Sequence, residues 1–420
     1  MSYIGVLLYC VASIFCPQDW TDTLKGQPVD VAIFAFIALG AAMSVNPHQW
    51  SGVASHPLFK IVVLHIVVTV LSSILTFKFD AMLGQAFYYF RLLCAFVAFA
   101  YFVNTPNKIR GVLILISLLT AIIAYQGIDL AETGVGLAGQ DRYWGGRIKW
   151  VGMYNGANAL CLLFVVATAF VSQFILGPWG WTTRILALAA GGLIVNGIYL
   201  TNSRGGFIAF ACVVGLSILV RHKENLSRFS PRTLVAGALV VFLFLLVAPS
   251  RMDSIADKEH SASGRIDAWQ EGLEMIREHP IFGVGKGEWL NHHMRLAHNS
   301  FVQMMGETGL VGLFFWTALI YLTIRTLVQI LKSIEDPRQQ SLVTGIFVAM
   351  CGFLLTSWFI TTTEFDWTYI FAGLTVATAV ANNVRTALSW KDVRWIAVIV
   401  LVGIITIDVT ARLFYILGGE

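Results

Sequence analysis

Apolar runs recur along this chain from end to end, and they decide what it can fold into. They lie at 59–77, 86–103, 109–125, 154–175, 181–200, 205–220, 234–248, 306–331, 342–360, 367–384 and 395–417. Two shorter ones lie at 3–15 and 29–45. Crossing about 30 Å of hydrocarbon takes about 17–25 helical residues. Inside lipid, backbone groups find no water, so a chain of such runs becomes helices with internally satisfied hydrogen bonds. Composition agrees: 57% of residues are hydrophobic and 12% charged, against about 25% charged in soluble domains. The expected fold is an all-α polytopic membrane protein with about 12–13 transmembrane helices. A helical cap is expected from the long polar loop near 250–305.

The organisation reads as N-terminal spans over 1–125, a loop at 126–153, central spans over 154–249, the long loop at 250–305, and C-terminal spans over 306–420. The first apolar run lacks a basic flank and a small-residue cleavage site, so it reads as a retained segment rather than a signal peptide. The six cysteines sit in or beside apolar runs without metal-type spacing, as small buried hydrophobes do. The net charge of +4 reports loop asymmetry rather than nucleic-acid binding.

Short loops set the orientation. Arg221, Lys223, Arg228 and Arg232 share one; Lys108 and Arg110, Lys332 and Arg338, and Arg385, Lys391 and Arg394 mark three more. Alternation puts these four on one side, which the positive-inside rule makes the cytoplasm. The loops at 126–153 and 250–305, Arg204, and the segment 361–366 then face the periplasm. Catalysis there has no ATP or nucleotide sugar. An activated substrate must arrive through the membrane, and a lipid-linked diphosphate is the natural form.

The long loop carries most of the chemistry. Ile266, Trp269, Leu273 and Ile276 recur at helical spacing. They predict a short amphipathic helix opened by Arg265, with Ser263 as N-cap and a stop before Pro280. Arg265 then stands where backbone N–H groups favour anions. Gly283, Gly285, Lys286 and Gly287 do not fit the phosphate-loop pattern. They either close a turn or let Lys286 touch a diphosphate. His292 and His293 are adjacent and cannot ligate one metal from one helix face. His298, before Asn299, is placed to take a proton from a sugar hydroxyl. Gly306, Gly309 and Gly312 permit close helix approach.

Three other stations face the same side. Arg204, between Ser203 and Gly205, starts a helix where phosphate is favoured. Arg142, Arg147 and Lys149 lie among aromatic residues, either as an interfacial belt or as a phosphate and sugar contact. Arg91, near the same end of its span, is a costly intramembrane charge and a candidate to join the site. Asp408 and Arg412 are intramembrane charges too. Glu364 and Asp366 are the best carboxylates for a cation, though without further ligands; neither metal nor cofactor is expected.

These residues resemble the bacterial O-antigen ligases and their relatives, the O-antigen polymerases and protein O-oligosaccharyltransferases. The pattern is His298-Asn299, nine residues, then Gly309-Leu-Val-Gly312. Arg265 to Trp269, His279 to Gly285 and Asn202 to Gly206 also look like that domain. The resemblance implies a metal-independent, inverting glycosyltransferase of the inner membrane with a periplasmic site. Its donor would be a glycan on undecaprenyl diphosphate and its acceptor a sugar hydroxyl of lipid A–core. It implies catalytic roles for His298, Arg265 and Arg204. Arg142, Arg147, Lys149, Arg91, Asn299 and Lys286 remain candidates for holding the donor. Polymerisation and transfer to protein share the same donor motifs. A lipid-linked oligosaccharide transporter is the rival of another class, but most ionisable residues gather at loops rather than through mid-membrane.

Overall fold

The computed structural model describes residues 2–43, 45–77, 79–220 and 255–418. The span expected at 234–248, and the basic residues Arg221, Lys223, Arg228 and Arg232, lie outside them. The described residues are helical with no strand, only isolated bridges such as Val135 with Asp141.

The helices are α1 (Ser2–Ile14), α2 (Val29–Ala42), α3 (Pro47–Ser55), α4 (Pro57–Leu75), α5 (Phe79–Phe102), α6 (Pro106–Thr133), α7 (Ala157–Leu176), α8 (Trp181–Thr201) and α9 (Arg204–Leu219). They continue as α10 (Ile255–Glu278), α11 (Trp289–His292), α12 (Ser300–Ser333), α13 (Pro337–Ser357), α14 (Trp367–Ala381) and α15 (Trp390–Gly418). Among the described residues, eight are long and apolar enough to cross a membrane. Four shorter apolar helices, α1, α2, α9 and α14, accompany them. The chain is therefore an all-α polytopic membrane protein, and each described apolar run became a helix near its expected bounds.

The apolar pattern also sorts the helices radially. α7 is enclosed along nearly its whole length, packed by α6, α8, α9 and α13. α8 and α15 are peripheral and expose Ile185, Leu186, Leu188, Leu401, Val402 and Ile405, side chains suited to lipid rather than water. A second, smaller core forms where α10 lies on α12 and α15. Ile266, Leu273, Met275 and Ile276 meet Trp289, Val302, Met305 and Ile407 there.

α10 differs from expectation at its start. It begins at Ile255 and runs through Ser263 and Gly264, so Arg265 sits inside the helix and not at its positive end. The segment before it holds Ala256, Lys258, Glu259 and Ala262, all compatible with helix. One glycine does not break such a run. The expected stop holds: the helix ends at Glu278, ahead of Pro280.

Loops fall into two groups at opposite ends of the bundle. At one end Trp150 donates to Phe15 O, Trp367 to the Tyr154 hydroxyl, and Ser300 to Ile360 O. Arg147 reaches Thr201 O and Lys286 reaches Glu364. At the other end Arg110 and Arg338 both stack on Trp179, and Arg325 pairs with Asp392. The long loop, the 134–156 loop, Arg204 and the 361–366 segment thus share one end. Asp408 and Arg412, expected as buried charges, pair with each other near that end, and Arg412 is exposed.

Candidate active site

His298 is the residue around which the shared end is built. Its φ of 47° places an L-residue in the left-handed region, which costs energy and persists only when the surroundings enforce it. The enforcement is visible on both sides. Before it, Ala297 is buried; its carbonyl accepts from Trp269 Nε1 at 3.1 Å and its N–H donates to Gln303 Oε1 at 3.3 Å. After it, Asn299 caps α12, accepting from Phe301 N at 2.9 Å and Val302 N at 3.2 Å. Asn299 is fully buried, and its side-chain oxygen holds the backbone beside His298.

The electrostatics of His298 follow from its neighbours. Burial, then the charges of Arg265 and Arg295, push its pKa down to about 4. The imidazole is therefore neutral at pH 7. Among the described residues, neither ring nitrogen has a hydrogen-bond partner. Arg265 in turn has its pKa lowered by burial and by the charges of Arg147 and Arg204. The structure thus gathers Arg147, Arg204, Arg265, Arg295 and His298 into one cationic neighbourhood drawn from four segments. Arg295, three residues before His298, was the member missed from sequence. A basic residue so close to a candidate base was the available signal.

Arg204 opens α9, whose N-cap Ser203 accepts from Gly206 N at 3.3 Å. Its side chain is exposed. Arg147 is half-buried and fixed: Nε donates to Thr201 O at 2.7 Å and one terminal nitrogen to Asn158 Oδ1 at 2.6 Å. Its guanidinium also stacks over Tyr143. Gly205 lies tight against Phe359, where a Cβ would come within 2.8 Å of the ring. Clustered cations with an open helix N-terminus suit a diphosphate, and a neutral imidazole suits proton removal.

The other predicted contacts have these surroundings. Arg142 donates to Leu130 O and Glu132 O, closing the end of α6. Lys149 is half-buried between the buried Ile148 and Trp150. Arg91 pairs with Asp30 and lines a small cavity of about 100 Å³ with Tyr9, Ser13, Asp19 and Asp366. Asp366 there accepts from the hydroxyls of Tyr9 and Ser13. Lys286 departs furthest from expectation. It is fully buried, and its ammonium donates to Glu307 Oε2 at 2.6 Å and Glu364 Oε1 at 3.2 Å. Burial opposes its charge, but the two carboxylates outweigh it and hold its pKa above the ordinary lysine value.

The glycine turn before Lys286 is equally committed. Val284 N donates to Gly306 O and Gly285 N to Glu307 O, each at 3.0 Å. Gly309 makes this possible: at φ 62°, ψ −164° it interrupts α12. The break frees carbonyls for the turn, and Leu310 N and Val311 N donate to Pro280 O and Ile281 O. These N–H groups hold protein, so they are not a phosphate cradle. Gly306 does serve close approach, since a Cβ there would meet Met275 and Trp289 at 2.8 Å. Among the described residues, no group of three or more His, Cys, Asp or Glu side chains is placed to hold a metal.

Known proteins share this part of the chain. Residues 189–317 match the family described as O-antigen ligase, an interval that includes Arg204, Arg265, Lys286, His298 and Glu307. The chain is also similar to the exopolysaccharide production protein ExoQ of Rhizobium meliloti. The two are 26% identical over an alignment of 225 residues, covering 47% of this chain and 51% of the relative. The chain thus spans about half the length of the relative it matches. The matched interval holds His298 with Arg204, Arg265 and Arg295, and over it the chain is similar to the O-antigen ligase and polymerase family.

Proposed function

We propose that the protein transfers a glycan from a polyprenyl diphosphate, such as undecaprenyl diphosphate, to a sugar hydroxyl, at the periplasmic face of the inner membrane. The observation that carries this reading is His298, without a hydrogen-bond partner among the described residues and set within the fields of Arg265 and Arg295. Arg147, Arg204 and Arg265 take the diphosphate. His298 takes the proton of the acceptor hydroxyl as its oxygen attacks the anomeric carbon. The bond from that carbon to the diphosphate oxygen breaks, and the polyprenyl diphosphate leaves with its charge offset by the arginines. A single displacement of this kind inverts the anomeric centre.

Binding order follows from the charges. In the empty site His298 is a weak base, because burial and then the nearby cations oppose its protonation. A bound diphosphate offsets those cations and raises its proton affinity. The base is therefore strongest when a donor is present.

The first acceptor reading is lipid A–core, which makes the protein an O-antigen ligase. The second is another lipid-linked glycan, which makes it a polymerase. The relative named for exopolysaccharide production favours keeping that second reading. Glu364 is tied to Lys286, and Asp366 to Tyr9 and Ser13, which supports a metal-independent reaction.

The test uses purified protein, a polyprenyl-diphosphate glycan, and lipid A–core, with excess chelator. Glycan-extended lipopolysaccharide from wild type, and none from His298→Ala, supports the ligase. Chain growth on the donor lipid selects the polymerase. Absence of transfer to either acceptor, with donor translocation in vesicles that survives His298→Ala, overturns transfer in favour of transport.

A further inference from the structure

We infer that Gln303 and Glu307, on the first turns of α12, are positioning residues that hold His298 in its left-handed conformation for the proposed transfer. The inference rests on that functional reading only for its link to rate. Its structural content stands on a chain of hydrogen bonds from a buried ion pair to the residue before His298.

The chain has four links. Lys286 Nζ donates to Glu307 Oε2 at 2.6 Å. Gly287 N donates to Glu307 Oε1 at 3.2 Å. Gln303 Nε2 donates to the same Glu307 Oε1 at 2.9 Å. Ala297 N donates to Gln303 Oε1 at 3.3 Å. Gln303 is 2%, Glu307 1% and Lys286 0% exposed, so water does not substitute for any partner.

Chemistry fixes the direction of every link. An ionised carboxylate only accepts hydrogen bonds, whereas a side-chain amide has one donating and one accepting end. Glu307 therefore commands the amino end of Gln303. That turns the carbonyl end of Gln303 toward Ala297 N, the only arrangement in which both links hold. Lys286 sets its ammonium against the buried Glu307 carboxylate as an ion partner at 2.6 Å. The position of His298 is thus set partly by a lysine twelve residues upstream.

Replacing Glu307 by glutamine keeps size and shape but breaks this order. The new amide turns its oxygen to Lys286, the stronger donor, and its amino group to Gln303 and Gly287. Two amino groups then face each other. Gln303 flips, and its own amino group meets Ala297 N. A single atom change in the ion pair thereby removes one of the two clamps on Ala297. Gln303→Leu removes the same clamp while leaving Lys286 and Glu307 paired.

The test reads His298 directly. Exchange of the imidazole C2 hydrogen for deuterium, followed by mass spectrometry across pH, gives the accessibility and titration of each histidine in the full-length protein in detergent. His48, exposed near the opposite end of the bundle, is the control. Glu307→Gln and Gln303→Leu are expected to speed His298 exchange and move its titration toward that of a free histidine, with His48 unchanged. In transfer assays kcat falls roughly 100-fold, as for a misplaced catalytic group, and KM for the donor stays near the wild-type value. If Glu307→Gln does not fold, Gln303→Leu decides. A His298 profile identical to wild type in the folded variant overturns the inference. Because exchange needs no substrate, a His298 shift in the variants, with wild-type protein that transfers nothing, would sink the transferase reading and leave the positioning role standing.

Discussion

Arg147 Nε donates to the carbonyl of Thr201 at 2.7 Å, three residues before Arg204. This bond ties the loop ahead of α7 to the end of α8, and so sets one phosphate-binding candidate against another. A second bond, to Asn158 Oδ1, fixes the plane of the guanidinium. Lysine cannot make both bonds and keep a charge facing the same place. Arg147→Lys is expected to lower transfer about tenfold or more, given about 1.5–3 kcal/mol for a hydrogen bond to a charged group. Arg142→Ala removes only contacts to Leu130 O and Glu132 O and is expected to transfer near the wild-type rate. Initial rates of glycan transfer separate the two. Equal losses would remove Arg147 from the donor site.

The depressed pKa of His298 predicts a pH profile. A base must be unprotonated, and His298 reaches about 4 against an ordinary 6.5. For the free enzyme kcat/KM is expected to stay flat down to about pH 5 and fall below it. Arg295→Gln removes a cation that repels the imidazolium, so protonation becomes easier and the acidic limb moves to higher pH. The limb of kcat, which reports the donor-bound state, should lie above that of kcat/KM in both proteins. A limb that stays in place in Arg295→Gln would show that Arg295 does not act on the base.

Much of this architecture was legible because hydropathy is a one-dimensional signal. The apolar runs gave the described helices, and the basic loops grouped Arg204 with the long loops. The site was less legible where partners come from distant positions. Gly283 to Gly287 stayed open between a closed turn and a diphosphate contact because nothing local shows Gly306 O and Glu307 O taking its N–H groups. Lys286 looked available because Glu307 and Glu364 are remote in sequence. One signal was present: Glu307 is an acid within an apolar helix, which demands a partner, and a lysine stands in the preceding turn. The start of α10 was misplaced because capping residues such as Ser263 also occur inside helices. Arg91 looked like a site arginine, but its partner Asp30 lies on another helix.

The pair of Lys286 and Glu307 predicts an asymmetry in stability. Glu307→Ala leaves a fully buried ammonium with a long bond to the Thr363 hydroxyl and one ion partner, Glu364, whose side chain is 55% exposed. Breaking one side of a buried pair costs about 3–5 kcal/mol. Replacing both members by apolar residues of similar size is often neutral. The double variant Lys286→Met with Glu307→Leu is therefore expected to unfold closer to wild type than Glu307→Ala does. Thermal unfolding in detergent, followed by tryptophan fluorescence, measures this. A double variant less stable than the single one would mean that the hydrogen bonds of Glu307 to Gly287 and Gln303 outweigh the ion pair.

Gly309 predicts the sharpest structural sensitivity. Its φ of 62° and ψ of −164° lie in a region open essentially to glycine alone, at a cost of about 1–3 kcal/mol for other residues. A Cβ there would also stand 2.5 Å from Ile281 O and 2.6 Å from Gly283 N. Those atoms belong to the turn that α12 holds, so they cannot shift without losing the bonds of Val284 and Gly285. Gly309→Ala is expected to reduce the yield of monodisperse protein severely. Gly192→Ala is the matched control, since it lies inside α8 with nothing within 4 Å of its Cβ. Alanine there gains about 0.8–1.0 kcal/mol of helix propensity. Size-exclusion profiles of the two variants, extracted in the same detergent, give the comparison. A normal profile for Gly309→Ala would mean that α12 runs unbroken through this position, and that the turn at 283–287 is held by other bonds.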